Sequence, residues 1–194
     1  MPDTENVPDP RPHLRRAVAQ LAAVTAEVRP ERLTDPTPCA EYDVKGLLQH
    51  VVGAARALAG VAAAGGFKRS GPLPTPQVAD DGWGAAVAEA GDRLAAAWDD
   101  ESLLTAKYDV PWGKSPGHGV VSFLVLELVT HTWDLNQALG RPVTLDPELS
   151  ELALKVAETL PPEGKEGAFG AARPAPEGAD VHTRLAARTG RPLD

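Results

Sequence analysis

Cysteine is nearly absent from this sequence: Cys39 is the only one in 194 residues. An intramolecular disulfide is therefore excluded, as is a cysteine-rich zinc site within one chain, and any metal must be held by histidine and carboxylate. Long apolar runs are missing as well. No stretch approaches the ~20 unbroken apolar residues of a membrane span, and the opening MPDTENVPDPRP has neither the basic nor the apolar part of a signal peptide, so a soluble, cytoplasmic protein is expected. Basic charge is in deficit. With 19 Lys and Arg against 27 Asp and Glu, the formal charge is -8, the wrong sign for neutralising a phosphate backbone, and neither nucleic acid nor a membrane is expected as a partner. There is no internal repeat and no sustained apolar/polar alternation of the kind that makes a sheet.

What is present suits one helical domain spanning 1–194. A 43% hydrophobic content is enough for a single core, flanked by a Pro-rich extension over about 1–12 and a Pro/Gly-rich tail over about 161–194. Prolines punctuate the periodic segments instead of interrupting them. Leu14, Val18, Leu21, Thr25 and Val28 recur at three- and four-residue steps and predict a first helix stopped near Pro30. Asp43 is placed to cap a second helix, Val44 to Ala64, which the Gly65-Gly66 pair ends. A long Gly- and Pro-rich connection, from Phe67 to Asp80, predicts a crossover and not a tight turn, so the second and third helices need not be antiparallel neighbours. The third helix spans roughly Gly82 to Asp100. YDVPWGKSPGHG is expected to be a loop, with Tyr108 and Val110 in a short extended piece. A fourth, strongly apolar helix runs from about Val120 to Leu139. Asp146 and Pro147 open a fifth, and a short helix fits Val181 to Ala187. The fold class is all-α, a bundle.

Chemistry concentrates in the fourth helix, FLVLELVTHTWDL. Phe123, Glu127, His131 and Leu135 form one ridge at four-residue steps, which places a carboxylate and an imidazole where core side chains would sit. Burying them without partners would be costly, and a metal would satisfy both; a direct hydrogen bond between them, or a shared exit to solvent, would also do so. His50 lies in an equally apolar setting, LLQHVVG of the second helix. A bundle can bring the second and fourth helices face to face, giving two histidines and one carboxylate. That set suits a catalytic zinc with an open position and equally a non-haem iron.

TPCAEYDVKGLLQHVVG, ELVTHTWDL and the tail segment FGAARPAP resemble the metal-binding domain of mycothiol-dependent maleylpyruvate isomerase, in the DinB-like superfamily. The resemblance runs from the first helix to the tail. It implies a four-helix bundle with a long crossover after helix two and an additional C-terminal helix, and it implies His50, Glu127 and His131 as metal ligands. The isomerase has a further C-terminal domain contributing to its active site, for which 194 residues leave no room, so isomerase activity itself is not expected to follow. Tyr42 stands where many relatives have Trp, preserving an aromatic at the entrance to helix two.

The expected function is that of a divalent-metal-dependent enzyme using a low-molecular-weight thiol such as mycothiol, of transferase or isomerase type, with zinc favoured and nickel or iron as alternatives. The organic substrate is open, and a homodimer is compatible with an apolar bundle. The competing reading is a non-catalytic protein whose ion crosslinks helices two and four; an iron oxygenase has the ligand types but not the fold. Asp134 is a candidate partner for His131, set against a plain network or solvent-facing role. His13 and His182 are expected to face solvent, and His118 to be a loop residue. Cys39 has no identifiable base nearby. The tryptophans are read as packing residues, with Trp112 as the one that could border a pocket.

Overall fold

The computed structural model describes residues 8–67, 74–111, 113–140, 143–164 and 169–193. Among these the chain forms α1 (Arg11–Thr25), α2 (Val44–Ala64), α3 (Trp83–Ala97), α4 (Ser102–Thr105), β1 (Lys107–Val110), β2 (Gly113–Pro116), α5 (Gly117–Ala138), α6 (Pro147–Glu158) and α7 (Val181–Arg188). Trp112 lies outside the described residues.

Local chemistry sets most boundaries. Asp43 is extended and its carboxylate accepts from the Gly46 amide at 2.7 Å, starting α2. Gly65, at φ 67, ends it in the left-handed conformation that glycine adopts without strain. Asp146 accepts from the Glu148 and Leu149 amides ahead of α6, with Pro147 in the first turn, where no amide partner is needed. Asp180 does the same for α7 through the Thr183 amide.

The bundle is a ring in the order α1, α3, α2, α5, so the first and second helices lie across its diagonal. The α2–α5 seam is the thinnest of the four, while α6 covers α5 and α7 covers α6. Leu14, Leu47, Leu94, Leu124 and Trp98 fill the centre, each no more than 1% exposed. By length and composition α2 could cross a membrane, yet half of its most apolar window is buried within the fold, and Lys45, Gln49, His50 and Arg56 interrupt it.

Several expectations need correction. α2 and α3 are direct neighbours. α1 stops at Thr25, short of Pro30, because the chain leaves the helix through Val28 and Arg29 is already extended. α3 stops at Ala97, and the Asp100 carboxylate accepts from the Ser102 amide at the start of α4. The extended piece at Tyr108 and Val110 finds an antiparallel partner in β2, with Tyr108 opposite Ser115 and both Tyr108 and Val110 buried. α5 begins at Gly117, not Val120, so His118 is helical. Gly117 permits this because its backbone presses on α4: a Cβ there would sit 1.9 Å from the Leu103 carbonyl oxygen.

Candidate metal centre

α5 is apolar on nearly every side, and its ridge places Phe123 and Leu135 in the core with Glu127 and His131 between them. His131 keeps 5% of its side-chain exposure and Glu127 keeps 14%; His50, brought across from α2, is one quarter exposed. Glu127 Oε1 accepts from His50 Nε2 at 2.7 Å and lies 3.3 Å from His131 Nε2. The two imidazoles meet edge to face, with centroids 4.9 Å apart. One ligand atom from each of the three residues lies within 4.8 Å of the others. The three sequence candidates thus share one site, with an edge open to solvent on the His50 side.

The outer nitrogens are engaged too. Tyr42 stacks on His50, with centroids 5.0 Å apart, and its hydroxyl is 3.3 Å from His50 Nδ1. His131 Nδ1 donates to Asp134 Oδ2 at 3.0 Å. Asp134 is wholly buried, which removes the solvent-facing alternative, and it accepts from Arg191 Nη2 at 2.8 Å and Nε at 3.1 Å. Sequence reasoning missed Arg191. It is 57 positions from Asp134, in a short Gly-Arg-Pro stretch with no periodic signal.

Burial alone would push the Glu127 carboxyl up, but the charge and hydrogen bonds of His131, with those of His50, hold it far below the usual carboxylate range. Burial would depress His131; Glu127 and Asp134 reverse that and raise it to about 9. Asp134 is likewise held low by His131 and Arg191 against the opposing effect of burial. Without a cation between them, His131 and Glu127 therefore form a buried ion pair. Two imidazole nitrogens and one carboxylate oxygen are also a donor set that could hold a divalent ion, with a further position left for an exogenous ligand.

Other candidates fall elsewhere. Cys39 is half-buried, with its sulfur within 4.8 Å of ligand atoms of His131 and Asp134, so acceptor groups do lie nearby; burial pushes its thiol up. His182 is not solvent-facing, since its Nδ1 is 2.7 Å from Ser150 Oγ, and His13 is half-buried with Nδ1 enclosed. Trp83 and Trp98 are core residues, as expected.

This is an all-α bundle in which two adjacent helices present a two-histidine, one-carboxylate cluster. Residues 14–136 match the family described as mycothiol maleylpyruvate isomerase N-terminal domain, and the chain belongs to that family. The uncharacterized protein Rv0738 of Mycobacterium tuberculosis is 32% identical over 189 residues, covering 94% of this chain and 98% of that protein. Its counterpart in strain CDC 1551 gives the same figures. Among solved structures, the mycothiol-dependent maleylpyruvate isomerase superposes with a TM-score of 0.62 at 14% identity, covering 81% of this chain and 70% of that one. A histidine-to-alanine mutant of that isomerase gives the same TM-score at 15% identity. The fold is the DinB-like one that the sequence resemblance implied.

Proposed function

We propose that this protein is a cytoplasmic, divalent-metal-dependent enzyme that acts on a low-molecular-weight thiol. Mycothiol is the natural candidate, because the family's description and the isomerase of like fold both name it. The observation that carries the reading is the convergence of His50, Glu127 and His131 with ligand atoms within 4.8 Å of one another. The donor set fits a divalent ion in type and number, and both imidazoles have their outer nitrogens engaged, as histidine ligands characteristically do. Zinc is favoured, with nickel or iron as alternatives.

A divalent ion held there would supply Lewis acidity and lower the pKa of a coordinated thiol. The chain's own residues do the rest. His50 and His131 present neutral nitrogens, Glu127 offsets part of the cation's charge, and Asp134 and Tyr42 set the ring planes. A cavity of about 600 Å³ runs along α2 from Gly53, one turn beyond His50, between the helix and Phe67 and Pro76. None of the three candidate ligands lines it, but its near end at Gly53 offers room for the distal part of a small organic substrate that extends from the site along α2. The reaction is of transferase or isomerase type, with the thiol as cosubstrate and a small organic molecule as acceptor.

The test is metal analysis of protein purified without added metal, beside His50→Ala and His131→Ala, followed by thiol-transfer assays on the loaded wild type. One equivalent of metal in the wild type, lost in both variants, together with thiol-dependent turnover, is expected. Stoichiometric metal persisting in both variants would overturn the ligand set. Metal whose removal unfolds the protein, with no turnover on any thiol and acceptor, would instead indicate a structural crosslink.

A further inference from the structure

We propose that Arg191 is a positioning residue for the metal centre, supplied by a part of the chain that lies outside the family match. The inference rests on the metal reading above. Tyr42, His50, Glu127, His131 and Asp134 all fall within residues 14–136. Arg191 comes from the turn after α7, at the far end of the chain.

The backbone is shaped to deliver it. Gly190 turns at φ 84 and packs so tightly on Gly170 that a Cβ would lie 2.7 Å from that residue's backbone, so only glycine fits. The Arg191 amide then bonds the Ala186 carbonyl at 2.9 Å, which fixes where the side chain leaves the turn. The guanidinium is buried, sits 5.6 Å from the centre of the Phe169 ring, and donates from Nη1 to the Thr189 carbonyl at 2.9 Å. Its Nε and Nη2 edge faces Asp134, with Nε 3.1 Å from Oδ1 and Nη2 2.8 Å from Oδ2.

That fork has a directional consequence. His131 engages only Oδ2 of Asp134, at 3.0 Å, and one hydrogen bond leaves the carboxylate free to rotate about its side-chain bond. Holding both oxygens against a planar guanidinium fixes the carboxylate plane, which a point-charge ammonium cannot do. The fixed Oδ2 then sets the plane of His131 and aims Nε2 at Glu127. Arg191 reaches the metal site only through Asp134, so it positions a ligand without touching the ion.

The test compares wild type, Arg191→Met and Arg191→Lys, each checked for folding by circular dichroism. Two readouts are needed. The first is the downfield imidazole proton of His131 Nδ1 in NMR spectra of metal-free protein, which reports the hydrogen bond to Asp134 directly. The second is zinc affinity by competition with a chromophoric chelator. The expected result is a shifted or broadened His131 resonance in both variants, with zinc binding weakened by about 10–100-fold in Arg191→Met and by less in Arg191→Lys. Arg191→Lys keeps a cation beside Asp134 and carries the test if Arg191→Met does not fold. An unchanged resonance and unchanged affinity in a folded variant would overturn the proposal, and a lowered melting temperature alone would mark Arg191 as merely structural. If wild type binds no zinc while its His131 resonance still depends on Arg191, the metal reading fails and the positioning role stands.

Discussion

Tyr42 lies with its ring stacked on His50 and its hydroxyl 3.3 Å from Nδ1. A phenol can donate or accept, so it suits His50 in either tautomer: it accepts from Nδ1–H when Nε2 is a ligand, and donates to Nδ1 when Nε2–H bonds Glu127. Tyr42→Phe keeps the stack and loses the hydrogen bond. Zinc affinity should fall by about 10-fold, the low end for an outer partner, because the partly exposed ring can take a water instead. A chelator-competition titration checks this, with the melting temperature of the metal-free protein staying near wild type. An unchanged affinity would leave Tyr42 as a packing residue.

Metal removal should make stability pH-dependent in a defined window. His131 is raised to about 9 in the fold, from an ordinary value of about 6.5, so its protonated form contributes stability that is complete below about 6.5 and lost as pH rises through about 9. Glu127 is depressed from 4.5, so its contribution is present above that value and is lost only as pH falls through the lower folded value. Calorimetry on chelated protein should therefore show a plateau between about 4.5 and 6.5 and a falling melting temperature toward about 9. A flat profile over that upper range would contradict the buried ion pair.

Asp146→Ala removes the cap of α6 together with an exposed ion pair to Arg16. The cap contributes about 1 kcal/mol and the ion pair at most a fraction more, which for a chain of this size lowers the melting temperature by roughly 2–4 °C. Burial would raise the Asp146 carboxyl, but Arg16 and the helix amides hold it below the ordinary carboxylate value of about 3.8. The difference from wild type should therefore be full above that pH and shrink in stronger acid. Zinc stoichiometry should be unaffected.

Gly117→Ala and Gly91→Ala separate two kinds of close approach. A Cβ at Gly117 meets the Leu103 carbonyl at 1.9 Å, whereas at Gly91 it meets Val18 Cγ1 at 2.4 Å. Backbone cannot yield as a side chain can, so Gly117→Ala should cost about 3 kcal/mol and Gly91→Ala nearer 1 kcal/mol, on the scale typical of overpacking. Urea unfolding of both variants measures the difference. Equal costs would mean that the α4–α5 contact gives way as readily as a side chain.

Helix ends were legible wherever one residue type carries the chemistry. Asp43, Gly65 and Asp146 each mark a boundary through their own backbone or side-chain bonds, and Pro147 marks one because it needs no amide partner in the first turn. Glu127 and His131 were legible as a pair because helical spacing makes neighbours of residues four apart. His50 was legible only as an imidazole in an apolar segment; that it meets Glu127 is a property of the bundle. The ring order was not legible, since apolar stripes state which face is buried but not against which helix. His118 was misjudged because glycines suggest loops, whereas Gly117 and Gly119 open a helix where space is short, Gly117 against α4 and Gly119 against Ser115. Asp134 and Arg191 meet across 57 residues with no pattern joining them.

The thin seam between α2 and α5 has a kinetic consequence. His50 stands on one side of it and Glu127 and His131 on the other, so an ion there would bind together the two neighbouring helices that packing joins least. Loss of the ion then requires only a local separation of these helices, while the α1–α3 half of the ring stays assembled. Its residence time would follow the opening rate of one groove. Amide hydrogen exchange would register loading as slower exchange along α2, with α1 left at its own rate.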